Sequence, residues 1–170
     1  MTEAYTRSQK VLHWLLAVLV LFWLLVSGRF AESAEGEQKG MILMFHSGGA
    51  LIIFALMMWR YAKRRKNLVQ PLSTLKSWEQ TWSPRIHVAF YMLVALMAIS
   101  GILQGMFFDQ NLRVFGVVNI TLGHNASLMS FFNWIHDFAS KLLLAMIAIH
   151  VLAAIKHQFI DKQPVLKRMS

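Results

Sequence analysis

The chain has 170 residues, of which 56% are apolar, with 17 lysines and arginines against 8 aspartates and glutamates and no cysteine. The missing cysteines exclude disulfides, thiolate metal sites, iron–sulfur clusters and covalent haem attachment through a C-x-x-C-H motif. Nucleic-acid binding is disfavoured, because the basic residues stand in blocks between long apolar runs and form no stripe with interleaved aromatics.

Four apolar runs are long enough for transmembrane helices, which need about 20 mostly apolar residues. We predict spans over residues 11–28, 41–59, 86–108 and 131–155. The first run follows Arg7 and Lys10 and could be mistaken for a signal peptide, but no convincing A-x-A cleavage site follows it. We therefore expect this first run to be a retained helix.

The third span carries two local signals. Ser83 and Pro84 precede it and predict that the helix begins there, with serine as the N-cap and proline in the first turn. Gly101 and Gly105 form a G-x-x-x-G spacing, which we interpret as close helix packing. Room for a flat cofactor is the alternative interpretation of these two glycines.

The basic residues gather on one side of the predicted bundle. Thirteen of the 17 lysines and arginines fall in the N-terminal arm, in the connection between the second and third spans, and at the C-terminal end. The positive-inside rule therefore predicts that both termini are cytoplasmic. The predicted fold class is all-α, a single integral membrane four-helix bundle over residues 1–170.

The fourth span carries His136, His150 and His157, separated by 14 and 7 residues. At 100° per residue, these separations place the three side chains roughly along one stripe of the helix. The rise from His136 to His150 is about 21 Å, so the two lie at different depths in the membrane.

Alternating helix directions assign the other span histidines to the same two depths. His46 falls with His136 at an outer level, and His13 falls with His150 at an inner level. The inner level also holds the two remaining span histidines, His87 and His157.

Matched histidine pairs favour two haems with histidine on both faces of the iron, one haem at each level. Ionisable side chains inside spans tend to mark function, imidazole is a haem ligand, and four-helix bundles build cofactor sites from facing side chains. Zinc is less favoured, because one matched pair of histidines leaves its usual tetrahedral shell short of nearby ligands. A proton relay is also possible, but it requires no matching of depths and explains less.

Several motifs resemble the bacterial cytochrome b561 family, four-helix membrane cytochromes with two haem b groups, of which superoxide oxidase is the best understood type. The motifs are VLHW in the first span, FHSGG in the second, RIHVAFYMLVALMAISG in the third, and H-x13-H-x6-H in the fourth, followed by a basic tail ending in KRM. The fourth-span pattern is the most specific of them.

The resemblance implies a cofactor set and its ligands. It implies four axial iron ligands, His13 and His150 for an inner haem b, and His46 and His136 for an outer haem b. It also implies a ubiquinone on the cytoplasmic side next to His157. We add His87 as a second residue of the quinone pocket, because it lies at the same level.

The implied function is a quinone-linked oxidoreductase of the bacterial inner membrane. Superoxide outside would reduce the outer haem, and the electron would pass to the inner haem and then to ubiquinone. Positive charge near the outer haem would attract the anionic substrate. The candidate cations are Arg29, Lys39, Arg113 and Lys141, and they are opposed by Glu32, Glu35 and Glu37 in the first outer connection.

Two other functions stay open. The chain could be a membrane anchor and electron conduit for a periplasmic dehydrogenase or hydrogenase-type partner, in which case its outer loops would dock a protein. A histidine-containing channel or structural membrane protein is the hypothesis without redox chemistry.

Overall fold

Four long helices dominate the computed structural model, which describes residues 5–169. The helices are α1 Arg7–Ser33, α2 Gly36–Lys66, α3 Ser77–Met106 and α4 Ala126–Ile160. Each is long and apolar enough to cross a membrane, as predicted. Residues 1–4 and 170 of the predicted domain over residues 1–170 lie outside the described residues. The side chain of Glu37 is also not described.

Two of the helices contain a π-helical turn. In α1 the turn is Trp23–Ser27, and at the end of α4 it is Lys156–Ile160. A π turn rotates the side chains that follow it relative to an α-helix, and such turns are frequent at functional sites. The first turn carries Trp23 and Ser27, and the second carries His157.

Helix α3 begins earlier than the sequence analysis predicted. The helix begins at Ser77, where the Glu79 carboxylate accepts the amide hydrogen of Lys76 at 3.0 Å. Gln80 adds a hydrogen bond to the Leu75 carbonyl at 2.7 Å. The predicted start at Ser83 and Pro84 is therefore wrong. Pro84 lies inside the helix, where it removes one backbone hydrogen bond.

The buried core lies in the middle of the bundle, between the two histidine levels. Its fully buried members come from all four helices: Leu16, Val20, Ile53, Met57, Tyr91, Val94 and Leu143. Outward-facing apolar side chains are left exposed, for example Val18 at 67% and Ile149 at 66%. In a membrane protein such side chains face lipid, so the exposed apolar surface fits a bilayer environment.

The connection between α3 and α4 contains the exception to the all-α prediction. Two short antiparallel strands, β1 Arg113–Val114 and β2 Val118–Asn119, form a hairpin. The ring of Phe115 at its tip lies over Gly48 of α2, where a Cβ would be only 2.8 Å away. The hairpin therefore packs on the end of α2 at which the predicted outer histidine level lies.

At the opposite end, the C-terminal segment crosses the bundle. Trp14 of α1 donates to the Met169 carbonyl at 2.8 Å, and Arg168 donates to the Gln70 carbonyl at 2.9 Å. Thr74 and Gln163 also form a hydrogen bond. These contacts bring the start of α1, the α2–α3 connection and the chain end together, so the three most basic segments share one end of the bundle.

Candidate functional site

The outer pair consists of His46 on α2 and His136 on α4. Their ring centroids lie 6.3 Å apart, with the ring planes at 68°. Nδ1 of His136 lies 3.0 Å from the Met97 carbonyl, which can only accept, so this nitrogen carries the proton. Nε2 of His136 is consequently the nitrogen with a free lone pair, the form that a metal ion requires.

The π turn of α1 supports His46 from two sides. The Ser27 hydroxyl lies 2.9 Å from Nδ1 of His46, and the Trp23 indole donates to the His46 carbonyl at 3.0 Å. Gly49 makes room for this indole, since a Cβ there would lie 1.8 Å from Cζ2 of Trp23. Trp23 and Ser27 are site residues that the sequence analysis missed.

Two cavities lie at the outer level, and Trp23 lines both of them. A cavity of about 60 Å³ touches both His46 and His136, together with core residues. A larger apolar cavity of about 350 Å³ opens beside it, against Gly48, Gly49 and Phe115. Cofactor pockets measure roughly 300–1,000 Å³. The two cavities together give the outer pair apolar space on the side of the Trp23 indole.

The inner level brings together three histidines. The ring of His150 lies 6.4 Å from the ring of His13 on α1 and 5.8 Å from the ring of His87 on α3. Nδ1 of His87 donates to the Ser83 carbonyl at 2.7 Å, which leaves Nε2 of this residue free. His87 thus lies against the predicted inner ligand His150.

The spacing of both predicted pairs can be compared with that of two imidazoles on one metal ion. An imidazole nitrogen lies about 2.0–2.1 Å from a bound first-row metal ion and about 1.1 Å from its own ring centroid, so imidazoles on opposite faces have centroids roughly 6.3 Å apart. The 6.3 Å of His46 and His136 and the 6.4 Å of His13 and His150 agree with this value. The donor set therefore fits an iron that takes one imidazole on each face.

The number of ligands also bears on the metal. Within residues 5–169, no three histidine, cysteine, aspartate or glutamate side chains are grouped to hold a metal ion. One pair of histidines would suffice for an iron whose other ligands come from a porphyrin. The pair does not complete the tetrahedral shell of a structural zinc.

Arg60 is a charged neighbour of the inner pair that the sequence analysis counted only as a topology signal. Its Nη2 lies 3.2 Å from Nδ1 of His13, and its Nη1 donates to the Tyr91 hydroxyl at 3.3 Å. A guanidinium can only donate, so Nδ1 of His13 accepts and a neutral His13 carries its proton on Nε2. Iron ligation through Nε2 requires the other tautomer, so it excludes this contact with Arg60.

His157, the third member of the α4 stripe, lies between two carboxylates. Its Nδ1 is 2.8 Å from Asp161, and its Nε2 is 3.9 Å from Glu79 at the start of α3. Lys156 also donates to Asp161 at 2.5 Å. The hydrogen bond from Lys156, followed by the one from His157, lowers the pKa of Asp161 below its ordinary value. The side chains of His157 and Glu79 are only 17% and 11% exposed.

The space between the two levels is filled by apolar side chains. Leu143 lies seven residues from both His136 and His150 along α4 and is 2% exposed. The rise between the two histidines is about 21 Å. The buried residues between the two histidine levels are thus apolar, apart from the small cavity beside His46 and His136.

The two glycines of the third span have different neighbours. Gly101 faces the ring of His136, whose Cε1 would lie 3.3 Å from an added Cβ. Gly105 instead faces Leu112 and Ile120 of the outer connection. Only Gly101 serves contact between helices, and it does so beside a predicted ligand.

The candidate outer cations are dispersed. Arg29 and Arg113 are exposed, and Lys141 forms an ion pair with Asp137 at 2.7 Å. A lysine whose charge is balanced by a neighbouring carboxylate adds little to the attraction of an anion. Lys141 is therefore the weakest of the four candidates.

Comparison with known proteins places these features in a family. The model of the family described as prokaryotic cytochrome b561 matches residues 4–170. The chain is also similar to "Cytochrome b561 homolog 2" of Escherichia coli (strain K12). The two are 26% identical over an alignment of 180 positions, which includes 98% of this chain and 91% of that protein.

Proposed function

The chain belongs to the prokaryotic cytochrome b561 family, and on this premise we propose that it moves single electrons across the bacterial inner membrane between two haem b groups. Membership of this family indicates a multi-pass membrane cytochrome that takes part in electron transfer. The proposal adds the ligands, which are His46 and His136 for the outer haem, and His13 and His150 for the inner haem.

The observation that carries the proposal is the repeated spacing of 6.3 and 6.4 Å between imidazole rings at two depths. Haem b, when bound, supplies the one-electron chemistry of its iron. If each pair of imidazoles holds one haem, the group would be suited to electron transfer rather than to oxygen binding. The protein's own part is to hold the rings, select their tautomers and keep water out.

Hydrogen bonds to Nδ1 are how the chain orients its proposed ligands. The Met97 carbonyl selects the iron-binding tautomer of His136, and the Ser27 hydroxyl can accept the same proton from His46. Such partners of the second ring nitrogen fix ring orientation and raise the basicity of the ligand.

Both termini lie in the cytoplasm in this proposal. The positive-inside rule supports this orientation, because the N-terminal arm, the α2–α3 connection and the C-terminal segment share one end of the bundle. The hairpin and the His46–His136 pair then lie toward the periplasm.

The proposed net reaction oxidises two superoxide anions outside and reduces one ubiquinone to ubiquinol inside, with two protons taken up there. His157 and His87 are the proposed residues of the quinone pocket. The position of His157 supports a role in that proton uptake, since its Nδ1 is within hydrogen-bond reach of the Asp161 carboxylate and its Nε2 faces Glu79 at 3.9 Å.

A membrane anchor for a periplasmic redox partner is the second candidate. It is favoured by apolar residues left exposed on the outer connection, with Phe115 at 55%, Leu122 at 74% and Val117 at 81%. Apolar patches of this kind mark docking or membrane-contact surfaces. In this case the outer haem would receive electrons from a protein.

Two measurements on purified protein test the proposal. The absorption spectrum must show reducible b-type haem bands, and their absence would remove both redox candidates. A pulse of superoxide must then reduce the bound haem faster than it reduces an unrelated membrane haem protein. Equal rates would eliminate superoxide oxidation and leave the anchor function.

A further inference from the structure

Arg60 occupies on α2 the position that His150 occupies on α4. It follows His46 by 14 residues, as His150 follows His136, so each lies about 21 Å inward of an outer histidine. The side chain is half-buried and reaches His13 at 3.2 Å and the Tyr91 hydroxyl at 3.3 Å. The inner level therefore contains a guanidinium within a membrane-spanning helix.

This charge has no acidic partner in the described part of the chain. The ion pairs of residues 5–169 join Lys141 to Asp137, Lys156 to Asp161, and His157 to Glu79 and Asp161. Arginine stays protonated in proteins, and a charge inside a span is costly and tends to mark function. The positive charge at Arg60 is thus permanent, and no carboxylate within residues 5–169 pairs with it.

Tyr91 keeps Arg60 at this level even when His13 changes partner. The tyrosine is 4% exposed, and its ring packs against Tyr61 with centroids 5.0 Å apart. With Nε2 of His13 holding iron, its Nδ1 would carry the proton and could no longer accept from Arg60. The hydrogen bond from Arg60 to the Tyr91 hydroxyl would be kept.

We propose that Arg60 is the residue that makes the inner haem the electron acceptor of the pair, by raising its reduction potential above that of the outer haem. The inference rests on the proposed two-haem function. Adding an electron lowers the positive charge of a haem by one, and a fixed cation nearby stabilises the reduced form, more strongly where the dielectric is low. The hydrogen-bond partners of the outer pair are instead neutral, the Ser27 hydroxyl, the Met97 carbonyl and the Ser100 hydroxyl, and the charge that acts on His136 is the negative one of Asp137.

A redox titration of the haem-loaded, full-length protein tests this role. The wild type should titrate in two components, and the component missing from His150→Ala should be the one with the higher potential. Arg60→Gln should lower the reduction potential of the inner haem. The equilibrium constant for electron transfer from the outer to the inner haem should fall at least tenfold, which corresponds to about 59 mV for a one-electron couple. Arg60→Lys keeps the charge and should change this equilibrium constant less than threefold.

Arg65→Gln is the matched control, because it removes an equal charge from the exposed end of the same helix. It should leave both components unchanged, since water and salt screen an exposed charge. The outer component serves as the control for folding within each variant.

Two results would overturn the role of Arg60. One is a wild-type protein in which the inner haem has a lower reduction potential than the outer haem. This result would refute the proposal even if the Arg60→Gln protein does not bind haem. The other is an Arg60→Gln protein whose two components titrate as in the wild type. A protein with only one haem, or His150→Ala without loss of either component, would refute the two-haem function itself.

Discussion

The imidazoles of His46 and His136 approach to 6.3 Å between ring centroids, although 90 positions separate them in the chain. A second pair, His13 and His150, repeats the spacing at 6.4 Å on the other side of a buried apolar core. The family implies haem b, which is not bound covalently, and under the proposed function these two pairs would hold it.

The ligand pairs predict selective loss of haem. His150→Ala should remove the inner haem and spare the outer one, and His136→Ala should do the reverse, because each variant leaves the other pair intact. The haem-to-protein ratio, measured by absorption, should halve in either variant. His124→Ala is the control, because this histidine is exposed in the outer connection. Unchanged haem content in His150→Ala would refute the inner pairing.

Gly49→Ala should weaken the outer site. The new methyl group would lie 1.8 Å from the Trp23 ring, so the indole must leave and give up its hydrogen bond to the His46 carbonyl. Overpacking of this kind costs about 1–3 kcal/mol. We expect reduced outer haem content and a lower melting temperature.

Gly40→Ala is the matched control for that variant. Gly40 is on the same helix, and an added Cβ there meets no atom within 4 Å. It should retain both haems and gain slightly in helix stability, by roughly 0.5–1 kcal/mol. Equal haem loss in the two glycine variants would mean that Trp23 does not support the outer site.

His157→Gln should slow quinone reduction and leave the haems in place. The glutamine keeps polarity but cannot take up and release a proton beside the Asp161 carboxylate, and general acid–base groups contribute roughly 10²–10⁴-fold in rate. Oxidation of the pre-reduced protein by a ubiquinone analogue, followed in a stopped-flow instrument, measures the change. A wild-type rate would place proton uptake elsewhere.

The orientation can be tested with introduced cysteines, because the chain contains none. Val117→Cys places a thiol on the outer hairpin, where the side chain is 81% exposed, and Lys162→Cys places one in the exposed C-terminal segment. An impermeant maleimide added to intact cells with a permeable outer membrane should label only the first. Labelling of the second alone would invert the topology.

Pattern and composition were sufficient for the helices but not for their ends. Apolar runs mark the membrane-spanning parts, and these parts lie within longer helices that continue into polar sequence. Ser83 and Pro84 match the preferences of a helix start. The helix nevertheless has its N-cap at Lys76, eight residues before Pro84, where the Glu79 carboxylate accepts the Lys76 amide hydrogen, and it continues through the proline. The preference of Ser83 and Pro84 for a helix start was thus overridden by the cap at Lys76 and Glu79.

The charged and aromatic residues around the pairs could not be assigned from spacing alone. Arg60 was counted among basic residues of a cytoplasmic connection, and only the folded chain brings it to His13 and Tyr91. Its 14-residue separation from His46, equal to that of the two α4 histidines, was a signal that could have identified it. The contact of Trp23 with Gly49 depends on a π turn, which periodicity does not reveal.

Transfer of electrons across a sealed membrane tests the central claim most directly. Haem-loaded protein would be incorporated into vesicles with ferricyanide trapped inside, and dithionite would be added outside. We predict that the trapped ferricyanide is reduced at a rate that both His136→Ala and His150→Ala lower toward that of protein-free vesicles. A wild-type rate equal to that of protein-free vesicles would contradict electron transfer through the two histidine pairs.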